Sequence, residues 1–291
     1  MILFDWGTYN GLGKLKIAAT LGLKLTEIPP RDLAYRRDPS YFDEYRSFSQ
    51  KAFTSITAHA PYYNVVSVDK ETMEKSWRGL IAGAEKAKRA GAEIYNLHLG
   101  WRAYMDHRDL DYAVEFFKRL TEKVPGIMIS IEVPYTRRML GDWEEIRHIR
   151  EAVGEDKIIV SVQLENAWLY ETGAGDTGLL EEANKTATKE FWMKMLDKAL
   201  SLSHNYLSLR FSQIIAFALG RRILKKRTPL GKGYPDIEPL ADAIAEFLVK
   251  NIHRKALPLR AHIIYTGPPE TKYKDTIALY AAIMQEATRH L

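Results

Sequence analysis

Short apolar runs alternate with longer amphipathic segments along the whole chain. The short runs have the composition of buried β-strands, and the longer segments repeat their apolar residues at three- and four-residue steps, as helices do. Met73, Trp77, Leu80 and Ala84 form one such helical stripe, in a helix that is predicted to stop before Gly91. Eight strand-and-helix pairs follow one another, and this alternation predicts an α/β fold of the (β/α)8 TIM barrel type.

The predicted elements cover most of the chain. The eight strands are predicted at residues 2–5, 23–28, 55–59, 94–98, 127–132, 158–165, 206–211 and 259–265. The helices are predicted at about 12–21, 41–52, 73–87, 110–123, 142–153, 188–202, 237–251 and 275–289. The longest stretches without a regular pattern, 169–185 and 224–236, are predicted as loops after strands six and seven, where a barrel places substrate contacts.

Length and composition agree with one barrel. The chain has 291 residues, of which 46% are hydrophobic, and a barrel of this type takes about 250 residues. No Gly/Ser-rich or Pro-rich linker and no low-complexity tract divides the sequence. We therefore expect a single domain over residues 1–291.

Four potential metal ligands end successive predicted strands. His59, His98, Glu132 and Glu165 follow one another at intervals of 39, 34 and 33 residues. The C-terminal ends of barrel strands meet at one face, so we expect these side chains to converge. Two imidazoles and two carboxylates suit a hard or borderline cation, Zn²⁺ first, with Mn²⁺ or Mg²⁺ as alternatives. A buried Glu132 on an apolar strand also calls for a partner or a metal.

The cysteine content and the positions of the other histidines limit which residues can bind a metal. The chain contains no cysteine, which excludes disulfides, Cys-ligated zinc, iron–sulfur clusters and a thiol nucleophile. His204 and His253 are expected at helix ends on the surface, whereas His262 lies in predicted strand eight and can point inward. Any metal must therefore be held by histidine and carboxylate side chains.

The charge balance bears on partners and on source. The 42 Lys and Arg residues exceed the 37 Asp and Glu residues, for a net charge of +5, which slightly favours a polyanionic partner. Many charged residues with few Gln and no Cys are typical of proteins from thermophiles. The N-terminal segment lacks the pattern of a signal peptide, and no apolar stretch approaches roughly 18 residues. We expect a soluble, cytoplasmic protein without a membrane partner.

Five segments, taken in order, carry a family resemblance. They are His59-Ala-Pro-Tyr62, Asn96-Leu-His98-Leu-Gly100, Ile131-Glu132, the run 165–173 that begins Glu-Asn-Ala-Trp, and Arg227-Thr-Pro-Leu-Gly-Lys-Gly233. Their order and spacing resemble the endonuclease IV family, the zinc-dependent apurinic/apyrimidinic endonucleases of the xylose isomerase-like barrel superfamily. The resemblance covers most of the chain and implies a metal-dependent phosphodiester hydrolase that acts on abasic or damaged DNA.

The chain departs from that family at five of its nine metal-ligand positions. His59, His98 and Glu132 match family ligands, and Glu165 stands where the family has an aspartate. The other positions hold Trp168, Ser208, Lys225, Arg227 and Tyr265. The resemblance therefore implies a reduced centre with one or two ions. In it, Glu132 is a ligand and Glu165 is a second ligand or the base that orients a water molecule.

The departures suggest a basic pocket in place of the third metal. Lys225 and Arg227 supply fixed cations that can bind phosphate oxygens, with a solvated basic loop as the alternative. Tyr62 is similar to a DNA-contacting tyrosine of the family, and Tyr265 occupies the position of its final glutamate. Trp101 and Trp168 can stack on an exposed base or sugar, or pack as ordinary rim residues.

Three functional hypotheses follow. The first is the divergent nuclease. The second is a metal-dependent isomerase or epimerase that acts on a sugar or a phosphorylated sugar, with two carboxylates as acid and base. The third is a nucleic-acid-binding barrel without catalytic activity, which would show affinity with a steep salt dependence and no turnover. Fold alone does not decide among them.

Overall fold

The strands form the closed parallel barrel that the sequence predicts. The computed structural model of the protein describes residues 2–219, 222–252 and 258–291. The barrel strands follow the order β1-β10-β7-β6-β5-β4-β3-β2. Their bounds are β1 Ile2–Tyr9, β2 Leu25–Ile28, β3 Ser55–His59, β4 Ile94–Leu97, β5 Met128–Glu132, β6 Ile158–Gln163, β7 Tyr206–Phe211 and β10 Leu259–Tyr265. A separate antiparallel hairpin consists of β8 Gln213–Leu219 and β9 Arg222–Thr228.

Helices follow the barrel strands. A 3-10 turn at Leu12–Lys14 precedes the first helix. The helices are α1 Leu15–Thr20, α2 Pro30–Tyr35, α3 Pro39–Ala52, α4 Lys70–Arg89, α5 His107–Lys123, α6 Trp143–Val153, α7 Leu164–Thr172, α8 Ala174–Thr177, α9 Leu180–Asn184, α10 Lys189–Ser201, α11 Ile237–Asn251 and α12 Lys272–His290. No helix in the described ranges combines the length and apolar character needed to cross a membrane.

The chain divides into two compact units. The first unit contains residues 9–161, and the second contains residues 1–8 with 162–291. In the first unit β2, β3, β4 and β5 pair in sequence, and residues 158–161 of β6 pair with β5. In the second unit β10 pairs with both β1 and β7.

Local sequence signals explain where α4 begins and ends. The Asp69 side chain accepts hydrogen bonds from the backbone N–H groups of Glu71 and Thr72, which caps the helix. The apolar stripe of α4 is buried and includes Trp77, whose indole N–H donates to the Val65 carbonyl at 2.6 Å. The helix ends two residues before Gly91, which has φ +84°, a conformation that favours glycine.

Several predicted boundaries were wrong. The stretch 169–185 holds the end of α7 and the short helices α8 and α9, which are separated by Gly173 and Gly178 with φ +72° and +74°. The stretch 224–236 begins inside β9, whose hydrogen-bonding partner is β8. Its basic residues show no alternation of apolar and polar positions, so the sequence did not indicate a strand. Backbone pairing with β8 makes this segment a strand. Helix α2 was not predicted, and His253 lies outside the described residues.

Strand six also ends earlier than predicted. β6 stops at Gln163, and α7 starts at Leu164, so Glu165 lies in the first turn of a helix rather than at a strand end. Apolar residues continue to alternate with polar ones through Leu164. Hydrophobicity therefore gave no signal of the change from strand to helix.

Candidate functional site

Three of the four predicted ligands meet in the first unit. His59 is the last residue of β3, His98 directly follows β4, and Glu132 is the last residue of β5. One ligating atom from each lies within 4.8 Å of the others. β3, β4 and β5 are neighbouring parallel strands, so their C-terminal ends present these side chains side by side.

The Glu132 carboxylate lies between the two imidazoles. Its Oε2 is 3.6 Å from His59 Nε2, and its Oε1 is 3.2 Å from His98 Nε2. Glu132 and His59 are buried, whereas His98 is partly exposed. Two ligand atoms bound to one tetrahedral Zn²⁺ at 2.0–2.1 Å would lie roughly 3.4 Å apart. Each histidine nitrogen therefore lies at about this separation from one of the two Glu132 oxygens.

Neighbouring groups orient two of the three ligands. His59 Nδ1 lies 2.8 Å from the Ala60 carbonyl oxygen, so Nδ1 carries the proton and Nε2 keeps its lone pair for a metal. The Asn96 side-chain amide donates to Glu132 Oε2 at 2.8 Å. Asn96 was not predicted as a site residue, although its position two residues before His98 places it on the same face of β4.

The donor set fits a divalent cation. Two neutral imidazoles and one carboxylate form a ligand set that is typical of catalytic zinc sites and leaves a coordination position open. Within the described residues, Asn96 Oδ1 and Ser130 Oγ are buried without a hydrogen-bond partner, and they lie on paired positions of β4 and β5. Uncompensated acceptors at this depth also suit a bound cation or its water.

An exposed aromatic ring covers the imidazoles. The Tyr62 ring stacks on His98, with centroids 5.5 Å apart and an interplanar angle of 27°, and its centroid is 5.2 Å from that of His59. Tyr62 remains 66% exposed. It therefore contacts the candidate ligands while most of its surface is exposed to solvent.

The loops after β4 and β5 hold a second exposed ring nearby in the sequence. Trp101 is 46% exposed and packs edge-on against Tyr135 at 6.3 Å between centroids. Its backbone N–H donates to Asn64 Oδ1 at 3.1 Å, and the two loops are joined by a bridge between Trp101 and Met139. These contacts therefore hold the backbone of Trp101 in place, and its exposed ring projects from that position.

Glu165, the fourth predicted ligand, lies in the second unit. Its carboxylate is buried and accepts hydrogen bonds from the Ser212 backbone N–H at 3.1 Å, from the Ser212 hydroxyl and from the Gln163 amide. Burial raises the pKa of Glu165, while the charge of Arg227 and the Ser212 hydrogen bonds act in the opposite direction.

The predicted phosphate-binding cations belong to the same unit. Lys225 and Arg227 lie on β9, opposite Ala216 and Ile214 of β8. Arg227 is exposed, and the Nζ of Lys225 is buried. Burial lowers the pKa of Lys225 to about 7, and the charge of Glu165 partly opposes that shift. Glu165 is therefore shifted towards its neutral form and Lys225 loses its charge near pH 7.

Two predicted substrate contacts are fully buried. The Trp168 side chain has no exposed surface, and its indole N–H donates to the Ala183 carbonyl at 3.3 Å. The Tyr265 hydroxyl donates to Asp275 Oδ2 at 3.0 Å, and its ring is also buried. Both side chains pack inside the second unit. Of the two alternatives that the sequence left open for Trp168, stacking on a ligand or packing, the structure shows packing.

His262 points inward and pairs with Ser208. His262 Nε2 lies 2.9 Å from the Ser208 hydroxyl, and Nδ1 lies 3.1 Å from the Tyr206 hydroxyl. Burial, with the charges of Arg210 and Arg260, lowers the pKa of His262 to about 3. The imidazole is therefore neutral and satisfied by hydroxyl groups on the neighbouring strand.

Comparison with known proteins identifies the family. Residues 15–280 match the family described as xylose isomerase-like TIM barrel. An uncharacterised protein of Methanocaldococcus jannaschii is 42% identical over 289 residues, which is 99% of this chain and 92% of that protein.

Two solved structures illustrate the shared fold. Endonuclease IV from Thermus thermophilus has a TM-score of 0.66 at 18% identity, with 97% of this chain and 99% of that chain covered. The 3-keto-D-glucoside 4-epimerase of E. coli has a TM-score of 0.64 at 12% identity, with 97% and 100% covered. The predicted superfamily is thereby confirmed, and the chain belongs to the xylose isomerase-like TIM barrel family.

Proposed function

We propose that the protein is a divalent-metal-dependent phosphodiester hydrolase that acts on abasic or damaged DNA. The observation that carries this proposal is the cluster of His59, His98 and Glu132 under the exposed ring of Tyr62. The fold similarity to endonuclease IV is consistent with it. Because that similarity is low in sequence, the argument rests on the side chains.

His59, His98 and Glu132 would hold the cation, with Zn²⁺ as the first candidate. A bound Zn²⁺ polarises a phosphate oxygen and lowers the pKa of a water molecule. The chain prepares this centre in advance. The Ala60 carbonyl keeps the proton of His59 on Nδ1, which leaves the Nε2 lone pair available to a cation, and Asn96 holds one Glu132 oxygen in place.

Exposed rings and cations would bind the nucleic acid. Tyr62 and Trp101 each present a face to solvent, and rings of this kind stack on unpaired bases or on the sugar at a missing base. Arg137, in the loop after β5, is also exposed and offers a forked donor to a backbone phosphate. An abasic site supplies both chemical features.

The metal content and the cleavage activity test the proposal together. Chelator-free protein supplied with zinc or manganese should contain about one equivalent of metal at this cluster, measured by elemental analysis. His98→Ala should lose that equivalent together with cleavage of a duplex that carries one abasic site. His148→Ala, which removes an exposed histidine of α6, should retain both.

The outcomes separate the hypotheses. Metal binding without cleavage of abasic DNA would reject the nuclease. Salt-sensitive DNA binding without turnover in the metal-loaded protein would instead support the non-catalytic binding barrel. Cleavage that persists in His98→Ala would place the activity elsewhere.

A second candidate, an isomerase or epimerase of sugar phosphates, is favoured by Glu165 and Lys225. Both residues belong to the second structural unit. The pKa of Glu165 is raised and the pKa of Lys225 is lowered to about 7, and shifts of this kind are a property of groups that exchange protons with a substrate. The fold similarity to a sugar epimerase is consistent with this alternative. Solvent deuterium should then enter a sugar phosphate at carbon, and Lys225→Met should stop the exchange while the exposed neighbour variant Lys226→Met should not.

A further inference from the structure

A basic groove lies in the first unit, away from the candidate ligands. It has a volume of about 580 Å³, within the range of about 300–1,000 Å³ that is usual for small-molecule sites. Only Glu85 contributes a carboxylate to its lining. Its cationic side chains are Arg37, Arg46, Lys86, Lys88, Arg89 and Lys123.

The groove is at the opposite end of β4 and β5 from the candidate metal ligands. Its walls include the last turn of α4 and the end of α5, just before β4 and β5 begin. His98 and Glu132 lie where those strands end. The strands contain four and five residues, which corresponds to roughly 13 and 17 Å. The groove is therefore a separate site.

Some of these cations have structural partners. Arg89 forms two hydrogen bonds to Asp43, of 2.8 and 2.6 Å, and Lys86 Nζ donates to the Leu33 carbonyl at 2.7 Å. Lys88 Nζ donates to the Pro125 carbonyl at 2.5 Å. An ammonium group has three donors, so each lysine retains donors for a ligand.

Arg37, Arg46 and Lys123 are different. Across the described ranges, none of the three makes a hydrogen bond or an ion pair within 4 Å, although the charge of Arg46 contributes to the lowered pKa of Asp43, and all three are exposed. Basic residues at the end of α4 and α5 stabilise the helix dipole. That reason does not cover Arg37, which precedes the N-terminus of α3, where a cation is unfavourable. The charge of Arg37 also lowers the pKa of Lys86, in addition to burial.

We infer that this groove binds a small polyanion that carries two or more phosphate groups. Two forked guanidinium groups and three ammonium groups around one concave surface match linked phosphates. The exposed Pro39 and the side chain of Val124 provide an apolar wall for an attached group. This inference does not depend on the proposed hydrolase.

Calorimetric titration with inorganic tripolyphosphate tests the inference. The titrations use the His98→Ala background, so that the probe cannot bind a metal at the other site. We expect one equivalent per chain, with an affinity that falls as salt rises. Arg37→Gln with Arg46→Gln should weaken binding at least about tenfold, because two charge-assisted contacts are lost.

Two further variants make the result specific. Arg78→Gln with Arg147→Gln removes the same charge from exposed helical positions of the same unit, and it should change the affinity by less than about twofold if contact rather than net charge decides. Glu85→Gln should tighten binding, because it removes the one carboxylate of the lining. A tighter affinity in Glu85→Gln cannot be explained by damage to the fold, because damage would weaken binding.

Three outcomes would overturn the inference. These are unchanged affinity in the Arg37 and Arg46 double variant, an equal loss in the Arg78 and Arg147 control, and absence of tripolyphosphate binding at low salt. Binding of a single-stranded oligonucleotide without binding of tripolyphosphate would also overturn it, and would assign the groove to a nucleic-acid backbone.

Discussion

The side-chain amide of Asn96 donates a 2.8 Å hydrogen bond to the Glu132 carboxylate. Asn96 lies on β4 beside His59, and Glu132 ends the next strand. One amide therefore fixes the oxygen that also faces the His59 imidazole. Groups that hydrogen-bond to a metal ligand set its orientation, and their loss lowers metal affinity.

Asn96→Ala should weaken metal binding by about 10–100-fold, the usual effect of removing a group that orients a ligand. The measurement is competition with a chromophoric chelator, using zinc. Ser49→Ala is the control, because its buried hydroxyl also lacks a partner within the described residues but lies on α3 rather than on a strand that carries a candidate ligand. Equal affinity of Asn96→Ala and wild type would show that Glu132 is held by other contacts.

Tyr62→Ala should weaken binding of abasic-site DNA without loss of metal. Stacking of one base on an aromatic ring contributes about 1–3 kcal/mol, and the exposed Tyr62 ring faces solvent over His98. Fluorescence anisotropy with a labelled duplex measures the change. Tyr62→Phe keeps the ring and should bind nearly as wild type; a large loss in Tyr62→Phe would assign the contact to the hydroxyl.

Gly100→Ala should disturb the loop that follows His98. Gly100 has φ +88°, and an added Cβ would lie 2.2 Å from Asn64 Oδ1 and 2.8 Å from Asn64 Cα. Strain and displacement together should cost more than the roughly 1 kcal/mol of the backbone conformation alone, and metal affinity should fall.

Gly22→Ala isolates the backbone contribution. Gly22 has φ +77° with no atom within 4 Å of the added Cβ. Urea unfolding should show a larger loss of stability for Gly100→Ala than for Gly22→Ala. Equal losses would mean that the loop around Asn64 adapts without cost.

His262 should make the protein less stable in acid. Its pKa is lowered from 6.5 to about 3 in the folded protein, so below pH 6.5 the unfolded chain takes up a proton that the folded state does not. Stability is therefore full above pH 6.5 and falls as the pH drops towards 3. At pH 4 the loss from this group is roughly 3 kcal/mol.

His262→Gln should remove that part of the acid dependence. Glutamine can still bond to Ser208 and Tyr206 but does not titrate. Urea unfolding at pH 7 and pH 4 measures the difference, with the exposed His148→Gln as the control. Parallel stability losses for wild type and His262→Gln over this pH range would show that His262 is not the responsible group.

Much of the fold was predictable because its signals are local. Strands β3, β7 and β10 and helix α11 have bounds equal to those predicted. Each is a buried strand or an amphipathic helix whose apolar spacing is encoded within the segment itself. The predicted end of strand six at Glu165 was wrong because the apolar–polar alternation of β6 continues into α7, and the β8–β9 hairpin was not predicted because its two strands depend on each other.

For the candidate site too, some features were predictable from the sequence and others were not. The spacing of His59, His98 and Glu132 placed them at the ends of adjacent parallel strands, and the structure brings their side chains together. The hydrogen bond from Asn96 and the lowered pKa of Lys225 had no sequence signal. Both depend on which distant groups lie nearby and on how much water they lose.

The sequence by itself determined the barrel and the strand ends that carry the candidate ligands, because hydrophobic periodicity and parallel pairing act on short segments. Only the tertiary structure decided that Trp168 and Tyr265 are buried, that Tyr62 and Trp101 are exposed, and that six cations share one groove. Burial and electrostatic environment arise from contacts between segments far apart in the chain. No spacing along the sequence specifies them.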